Sequence, residues 1–314
     1  MDEERGRTMA ATGNKPSIKI IKRNWDLYLL ILPVVIYYAV FEYLPMYGVQ
    51  IAFKDFIAVN GIWGSPWVGL KHFERFFQGY YFERLLLNTL LLSVYYLLIS
   101  FPLSVLLALL MNELRLAAFK KTVQLVTYAP HFISTVVLVG MLSIFLAPKS
   151  GLVNQVIAWS GGTPIDFLAE AGWFKSLYVF SGVWQNTGWN SIIFIAALAG
   201  IDPQQHESAM LDGASKLQRI WHINIPALLP TMAILFILQC GQIMAVGFEK
   251  VFLMQNNANI SASDVISTYV YRSGVLGAQY SFSAAVGLFN SVINLILLFG
   301  VNRISKKLTQ TSLW

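Results

Sequence analysis

Residues 202–226 form a polar segment whose residue types suit contact with another protein better than chemistry on a substrate. Asp202-Pro203 can open a helix, because Asp caps free N–H groups and Pro fits the first helical position. Glu207 offers a charge for a partner arginine, and Ser208, Ala209, Gly213 and Ala214 are small enough to admit a partner backbone. Gly213 is a natural helix stop and Ser215 can cap a second short helix. Ile223 and Pro226 lead into a long apolar run, and Pro226 is expected to break the helical pattern before it. The first helix would be about 15 Å long at ~1.5 Å per residue.

A second polar set is spread through apolar runs: Trp184, Gln185, Trp189 and Asn190, then Gln239 and Gln242, then Asn290 and Asn294. Polar groups inside a bilayer are costly and therefore suspects for function. Indoles can stack on a ligand and amides can bond its polar groups, so the set is a candidate lining for a substrate pathway. The competing use of each single residue is to link helices, worth about 0.6–2 kcal/mol. As a group, some are expected to line the pathway.

The chemistry that is missing narrows the classes. No Gly-x4-Gly-Lys-Ser/Thr phosphate loop and no His-Glu-x-x-His zinc motif occurs. The apolar runs hold no carboxylate pair or nucleophile–base set, so no catalytic residue is assigned. Cys240 is the only cysteine, which leaves no disulfide or cysteine metal site. His131 follows Pro130 with no second ligand at metal spacing and reads as a packed, hydrogen-bonded histidine. No metal ligand is assigned.

The elements that must position these residues are membrane helices. Hydrophobic residues make up 56% of the chain and charged residues 12%, against about 25% charged in a soluble domain. Charge-free runs cover 27–41, 85–112, 122–148, 176–201, 220–248 and 273–302. A helix needs roughly 20 residues to cross ~30 Å of hydrocarbon. Five runs clear that length; the first does so if Glu42 lies near the interface and the helix continues towards Tyr47. Alternating ten-residue segments of a barrel are absent, and Phe41-Glu42-Tyr43-Leu44-Pro45 offers no small-residue cleavage site, so the first run reads as a retained anchor. The expectation is an all-α integral membrane protein of six transmembrane helices, with residues 1–24 as a tail and 25–314 as one transmembrane domain.

Lysine and arginine counts orient it. Fourteen stand in the tail, the 2–3 loop, the 4–5 loop and the C-terminus; eight stand on the other side over longer loops. Both termini and the Glu207 segment are thus expected in the cytoplasm. The formal charge of +6 follows from topology and gives no argument for nucleic acid, which would want a basic face with interleaved aromatics on a soluble module. The first outer loop, about 54–84, is rich in aromatics suited to the membrane boundary. Glu42, Glu249 and Arg272 stand at outer ends of spans or in the third outer loop, where interfacial solvation is the plain reading and contact with a partner or an anionic sugar the functional one.

The pattern Glu207-Ser208-Ala209, three residues, Gly213, nine residues, Ile223, one residue, Ile225-Pro226 resembles the Glu-Ala-Ala coupling loop of ABC-importer permeases. Two positions depart conservatively, Ser208 for Ala and Ile225 for Leu. Pro45-Met46-Tyr47-Gly48, 61–69, Pro130-His131-Phe132-Ile133-Ser134 and the terminal Ser312-Leu313-Trp314 are similar to the polysaccharide-type branch of the carbohydrate permeases in that family, over nearly all of residues 20–314. The resemblance implies a type I ABC-importer permease (MetI-like) fold in a bacterial plasma (inner) membrane. It also implies a second homologous permease subunit, two ATPase subunits that hold ATP and Mg, and an extracellular solute-binding protein. Glu207, Ala209 and Gly213 would dock the ATPase, and an oligosaccharide or a polysaccharide breakdown product would cross by alternating access.

Two alternatives stay open. One is an ABC permease for another small solute, an amino acid or phosphate. The other, an ion-coupled secondary transporter, usually carries inverted repeats or broken helices with buried acids. Pro102 and Pro130 are positions where a helix can break.

Overall fold

The computed structural model describes residues 24–313, with 308 and 309 described in their backbone only. The expected tail, 1–24, lies outside the described residues apart from Asn24, and so does Trp314. By internal packing the chain forms two units, Met1–Gln50 and Ile51–Trp314. The described residues are helical, with no strand beyond an isolated bridge between Lys54 and Trp67.

In the first unit the helix Trp25–Tyr38 passes through a π turn at Ala39–Tyr43 into Leu44–Met46. Glu42 lies within that turn, so the helix does continue past it. Pro33 sits inside the helix without ending it.

Four helices among the described residues are long and apolar enough to cross a membrane: Trp25–Phe53, Phe82–Asn112, Lys216–Cys240 and Tyr280–Lys307. A fifth span results if Ala117–Phe132 and Thr135–Phe145, bent by 99° at a short break, count as one. The Ala171–Ala199 helix has 29 residues, which is length enough. The run Trp184-Gln185-Asn186-Thr187-Gly188-Trp189-Asn190 at its middle keeps it out of the apolar set.

Several charge-free runs do not coincide with helices. The run 122–148 is two helices, because Pro130 lacks the N–H that would continue the first. The chain tightens into a 3-10 turn at Ala129–Phe132, Ile133 and Ser134 are extended, and the Ser134 hydroxyl accepts from Val137 N to start the next helix. Pro102, by contrast, lies inside the unbroken 31-residue Phe82–Asn112 helix. The run 220–248 ends as a helix at Cys240; residues 241–247 turn, and Phe248–Met254 forms a separate short helix. Gly241 lets the turn lie close to the last long helix, since a Cβ there would meet the Leu298 side chain at 2.7 Å.

Three apolar clusters bind the second unit. Leu92, Val139, Phe174, Val183, Val251 and Val265 belong to one, which joins the second span, the bent span, Ala171–Ala199 and the segment after Cys240. Phe76, Leu85, Met244, Phe282 and Val286 belong to another, and Val105, Leu109, Phe194, Leu198 and Leu228 to a third. In lipid such contacts act through close packing more than through exclusion of water. Gly188 marks the tightest crossing: a Cβ would stand 2.0 Å from the Thr127 carbonyl oxygen.

Candidate functional site

The 202–226 segment is built by local hydrogen bonding. Asp202 accepts from Gln204 N at 3.0 Å and caps the helix Pro203–Leu211. At the other end Gly213 takes φ 76°, open to glycine and disfavoured for most side chains. Its N–H bonds the Met210 carbonyl at 3.1 Å, and Ala214 N–H bonds the Ala209 carbonyl at 2.9 Å. That pair of bonds closes the helix in a Schellman motif. Ser215 and Gln218 then form a capping box for Lys216–Arg219. Pro226 does not break the chain's helical course: a π turn at Ile220–Asn224 shifts the bonding register ahead of it, and the helix runs on to Cys240.

Glu207, Ser208 and Gly213 are exposed, while Ala209, Ala214 and Ile223 are half-buried. Sequence reasoning missed the apolar side of this surface. Leu211 is 89% exposed, Leu217 78% and Trp221 68%, beside an exposed Met210. A charge, small residues and a group of bare apolar side chains thus share one short segment, a composition fitted to a protein groove.

The pathway candidates divide. Gln185 donates to the Ile133 carbonyl at 2.7 Å, Asn186 bonds His131 Nδ1 at 3.0 Å, and Trp189 stacks on the His131 ring at 4.5 Å. These groups secure the bend of the third span. Trp189 has its face taken, and His131 is indeed a packed, hydrogen-bonded histidine. Trp184 is half exposed and faces apolar crevices beside Leu138, Phe180 and Leu106. Asn190 is half-buried and makes no hydrogen bond among the described residues. Asn290 donates to the Met244 carbonyl at 3.1 Å, and Asn294 accepts from Met244 N at 2.9 Å. Both amides therefore hold the turn after Cys240.

The side chains of Gln239 and Gln242 make no hydrogen bond among the described residues, and both residues line a cavity of about 230 Å³ with Ser93, Tyr96 and Tyr178. It stands beside the middle of the Phe82–Asn112 helix, and its wall includes the unwound backbone from Ala245 to Gly247. Lys250 lies directly behind it. Its Nζ donates to the Tyr178 carbonyl at 2.8 Å and stands 4.7 Å from the Tyr178 ring centroid. Burial pushes this ammonium down to about 7. Ser93, Tyr96 and Tyr178 escaped sequence reasoning because hydroxyls within apolar runs are common, and Lys250 because it counts as an outer-loop charge.

At the start of the Phe82–Asn112 helix, Asp264 is buried between Arg272 at 2.6 Å and Arg84 at 3.1 Å. Arg272 also donates to Gln255 at 3.0 Å. Its guanidinium is thus held within the chain by Asp264 and Gln255, an internal role that the expectation of interfacial solvation, or of contact with a partner or sugar, did not include. Glu249 is exposed.

The chain thus combines a bent pair of apolar helices, a turn before the last long helix, and a capped, exposed helix between Ala171–Ala199 and Ile225–Cys240. The family model described as binding-protein-dependent transport system inner membrane component matches residues 77–310, and the chain belongs to that family. It is therefore a multi-pass inner-membrane permease subunit of an ABC importer and not an enzyme; the ATPase of such a system is a separate subunit. The chain is 45% identical to Protein LplB of Bacillus subtilis (strain 168), over 94% of this chain and 92% of that one. It is 44% identical to the polygalacturonan/rhamnogalacturonan transport system permease protein YteP of the same organism, covering 95% and 92%. Among solved structures, it matches a chain of the bacterial alginate ABC transporter in complex with alginate pentasaccharide-bound periplasmic protein. That match has TM-score 0.88 and 39% identity, and covers 95% of this chain and 100% of the other.

Proposed function

We propose that this chain forms half of the pathway by which an ATP-driven importer takes up oligosaccharides or polysaccharide breakdown products. It crosses the membrane six times, with Ala171–Ala199 as the fourth span. Its polar middle fits this role because Gln185 and Asn186 bond the bent neighbouring span and Gly188 packs on it, so few polar groups meet lipid. Both termini and the Pro203–Leu211 helix face the cytoplasm by the excess of lysine and arginine there.

In this reading a second permease completes the pathway and two ATPase subunits hold ATP and Mg. A solute-binding protein delivers the saccharide from outside. Moving a two-state equilibrium from 1:99 to 99:1 takes about 5.5 kcal/mol of differential binding. ATP-driven closure of the ATPases supplies it through Glu207, Ser208, Ala209, Gly213 and Ala214, while Ile223 and Pro226 tie the segment to the fifth span. That stroke opens the cavity at Gln239 and Gln242 outward, and hydrolysis returns it inward.

The observation that carries this reading is the capped helix Pro203–Leu211, which bares a charge, small residues and apolar side chains between two spans. Support for a saccharide comes from the polygalacturonan/rhamnogalacturonan permease relative and from the alginate importer bound to its periplasmic protein. The test is purification followed by uptake in proteoliposomes. An ATPase subunit should accompany the chain, and labelled trisaccharide should enter only with ATP and binding protein present. Uptake driven by an ion gradient without ATP would refute the proposal.

A further inference from the structure

Arg84 and Lys175 are the last charges before the charge-free runs 85–112 and 176–201, where their two helices enter the membrane. Both line one cavity of about 490 Å³ at the starts of Phe82–Asn112 and Ala171–Ala199. Arg84 gives its Nη2 to Asp264 and stands 4.8 Å from the Tyr81 ring centroid. Lys175 is half-buried and has no hydrogen bond or ion pair among the described residues. Glu83 lines the same cavity, exposed, and pairs with neither cation. Arg84, Arg272 and Lys175 thus face two acids, Asp264 and Glu83, and one positive charge is left over.

Away from the helix start the wall turns apolar. Leu87 and Leu91 line the cavity, and Val94 and Leu98 continue their face at helical spacing, all four exposed. From Leu87 to Leu98 the stripe runs about 16 Å. That is close to half of the ~30 Å hydrocarbon, so the stripe is one leaflet deep. Tyr80 and Tyr81 flank the cations at the boundary, where rings with a polar tip are at home.

We propose that this groove binds one anionic phospholipid, its phosphate between Arg84 and Lys175 and one acyl chain along the Leu87–Leu98 stripe. The headgroup supplies the negative charge that the cluster lacks. A soluble anion would leave the stripe unmatched, and a choline lipid would set its own cation beside Lys175. The proposal rests on Ala171–Ala199 being a span and is independent of the solute carried.

Native mass spectrometry of the delipidated assembly containing the full chain tests it. The probes are dioleoyl phosphatidylglycerol and dioleoyl phosphatidylcholine, equal in chains and different in charge. The first should bind at least fivefold more tightly. Lys175→Gln should weaken it about fivefold, the scale of one lysine beside an anionic headgroup, and Lys175→Arg should keep it. Equal binding of the two lipids by the unmodified assembly overturns the proposal even if Lys175→Gln cannot be purified. An unchanged phosphatidylglycerol titration in Lys175→Gln does so too, as does displacement of the lipid by millimolar inorganic phosphate, which would mark a site for a soluble anion. An assembly that fails these tests and still imports saccharide with ATP loses the lipid site alone.

Discussion

Two glycines carry different burdens. Gly213 has open space around its Cβ position, so its requirement is the φ of 76° alone. Gly213→Asn should therefore be tolerated. Gly213→Val should cost about 1–2 kcal/mol locally and unravel the helix end. The expected result for valine is normal membrane levels with saccharide imported per ATP hydrolysed well below the unmodified importer; an unchanged ratio would mean that the helix end plays no part in coupling. Gly188 has an ordinary φ and no room. Gly188→Ala must push Ala171–Ala199 off the bent span, an overpacking cost of about 1–3 kcal/mol. Thermal unfolding in detergent should show a midpoint lower by several degrees. The Gly213 stop was legible, since spacing and residue type announce a helix end. The Gly188 crossing was not, because nothing local marks a residue that another helix approaches.

At the scale of elements, the start of the Phe82–Asn112 helix and the segment around Arg272 are locked together by Asp264. Its carboxylate lies between Arg84 and Arg272, Asn88 donates to the Asp264 carbonyl at 3.1 Å, and Thr89 accepts from Ile266 N at 3.1 Å. Asp264→Asn removes the charge and leaves two guanidiniums facing each other. The arginines are about one-third exposed, so the loss belongs at the low end for a broken buried pair, about 3 kcal/mol. Midpoint temperature should fall clearly in Asp264→Asn and recover in part when Arg84→Gln is added; an unchanged midpoint would show the lock to be idle. The helices themselves were largely legible from charge-free runs, but their ends were not. Absence of charge marks lipid-compatible sequence without marking helix, so the turn at Gly241–Gly247 stayed hidden inside an apolar run and the bend at Ile133-Ser134 was signalled only by Pro130. Pro130 and Pro102 show why residue type was insufficient: the first has Gln185 and Asn186 to secure a bend, and the second lies in a helix that runs straight through.

On the scale of the whole molecule, family and transport role were legible because Glu207, Ala209, Gly213, Ile223 and Pro226 stand at the spacing of the coupling loop they resemble. The substrate pathway was legible only in part. Of the eight intramembrane candidates, Gln239 and Gln242 line the polar cavity, whereas Gln185, Trp189, Asn290 and Asn294 are engaged in holding breaks in the helices. Sequence cannot separate a polar group that binds a neighbouring backbone from one left for a ligand. If the cavity carries the saccharide, Gln239→Leu with Gln242→Leu should lower uptake at least tenfold while membrane levels and the midpoint temperature hold. If Asn294→Leu instead lowers the midpoint, the division of roles stands.

The central claim is that Pro203–Leu211 lies on the inner surface and takes its motion from an ATPase. The direct measurement places a cysteine at Met210, with Cys240→Ala to remove the native thiol, and labels it with a membrane-impermeant maleimide in oriented vesicles. The account predicts labelling from the cytoplasmic side alone, lost when the ATPase subunit is bound. Labelling from the outer face, or labelling indifferent to the ATPase, would contradict it.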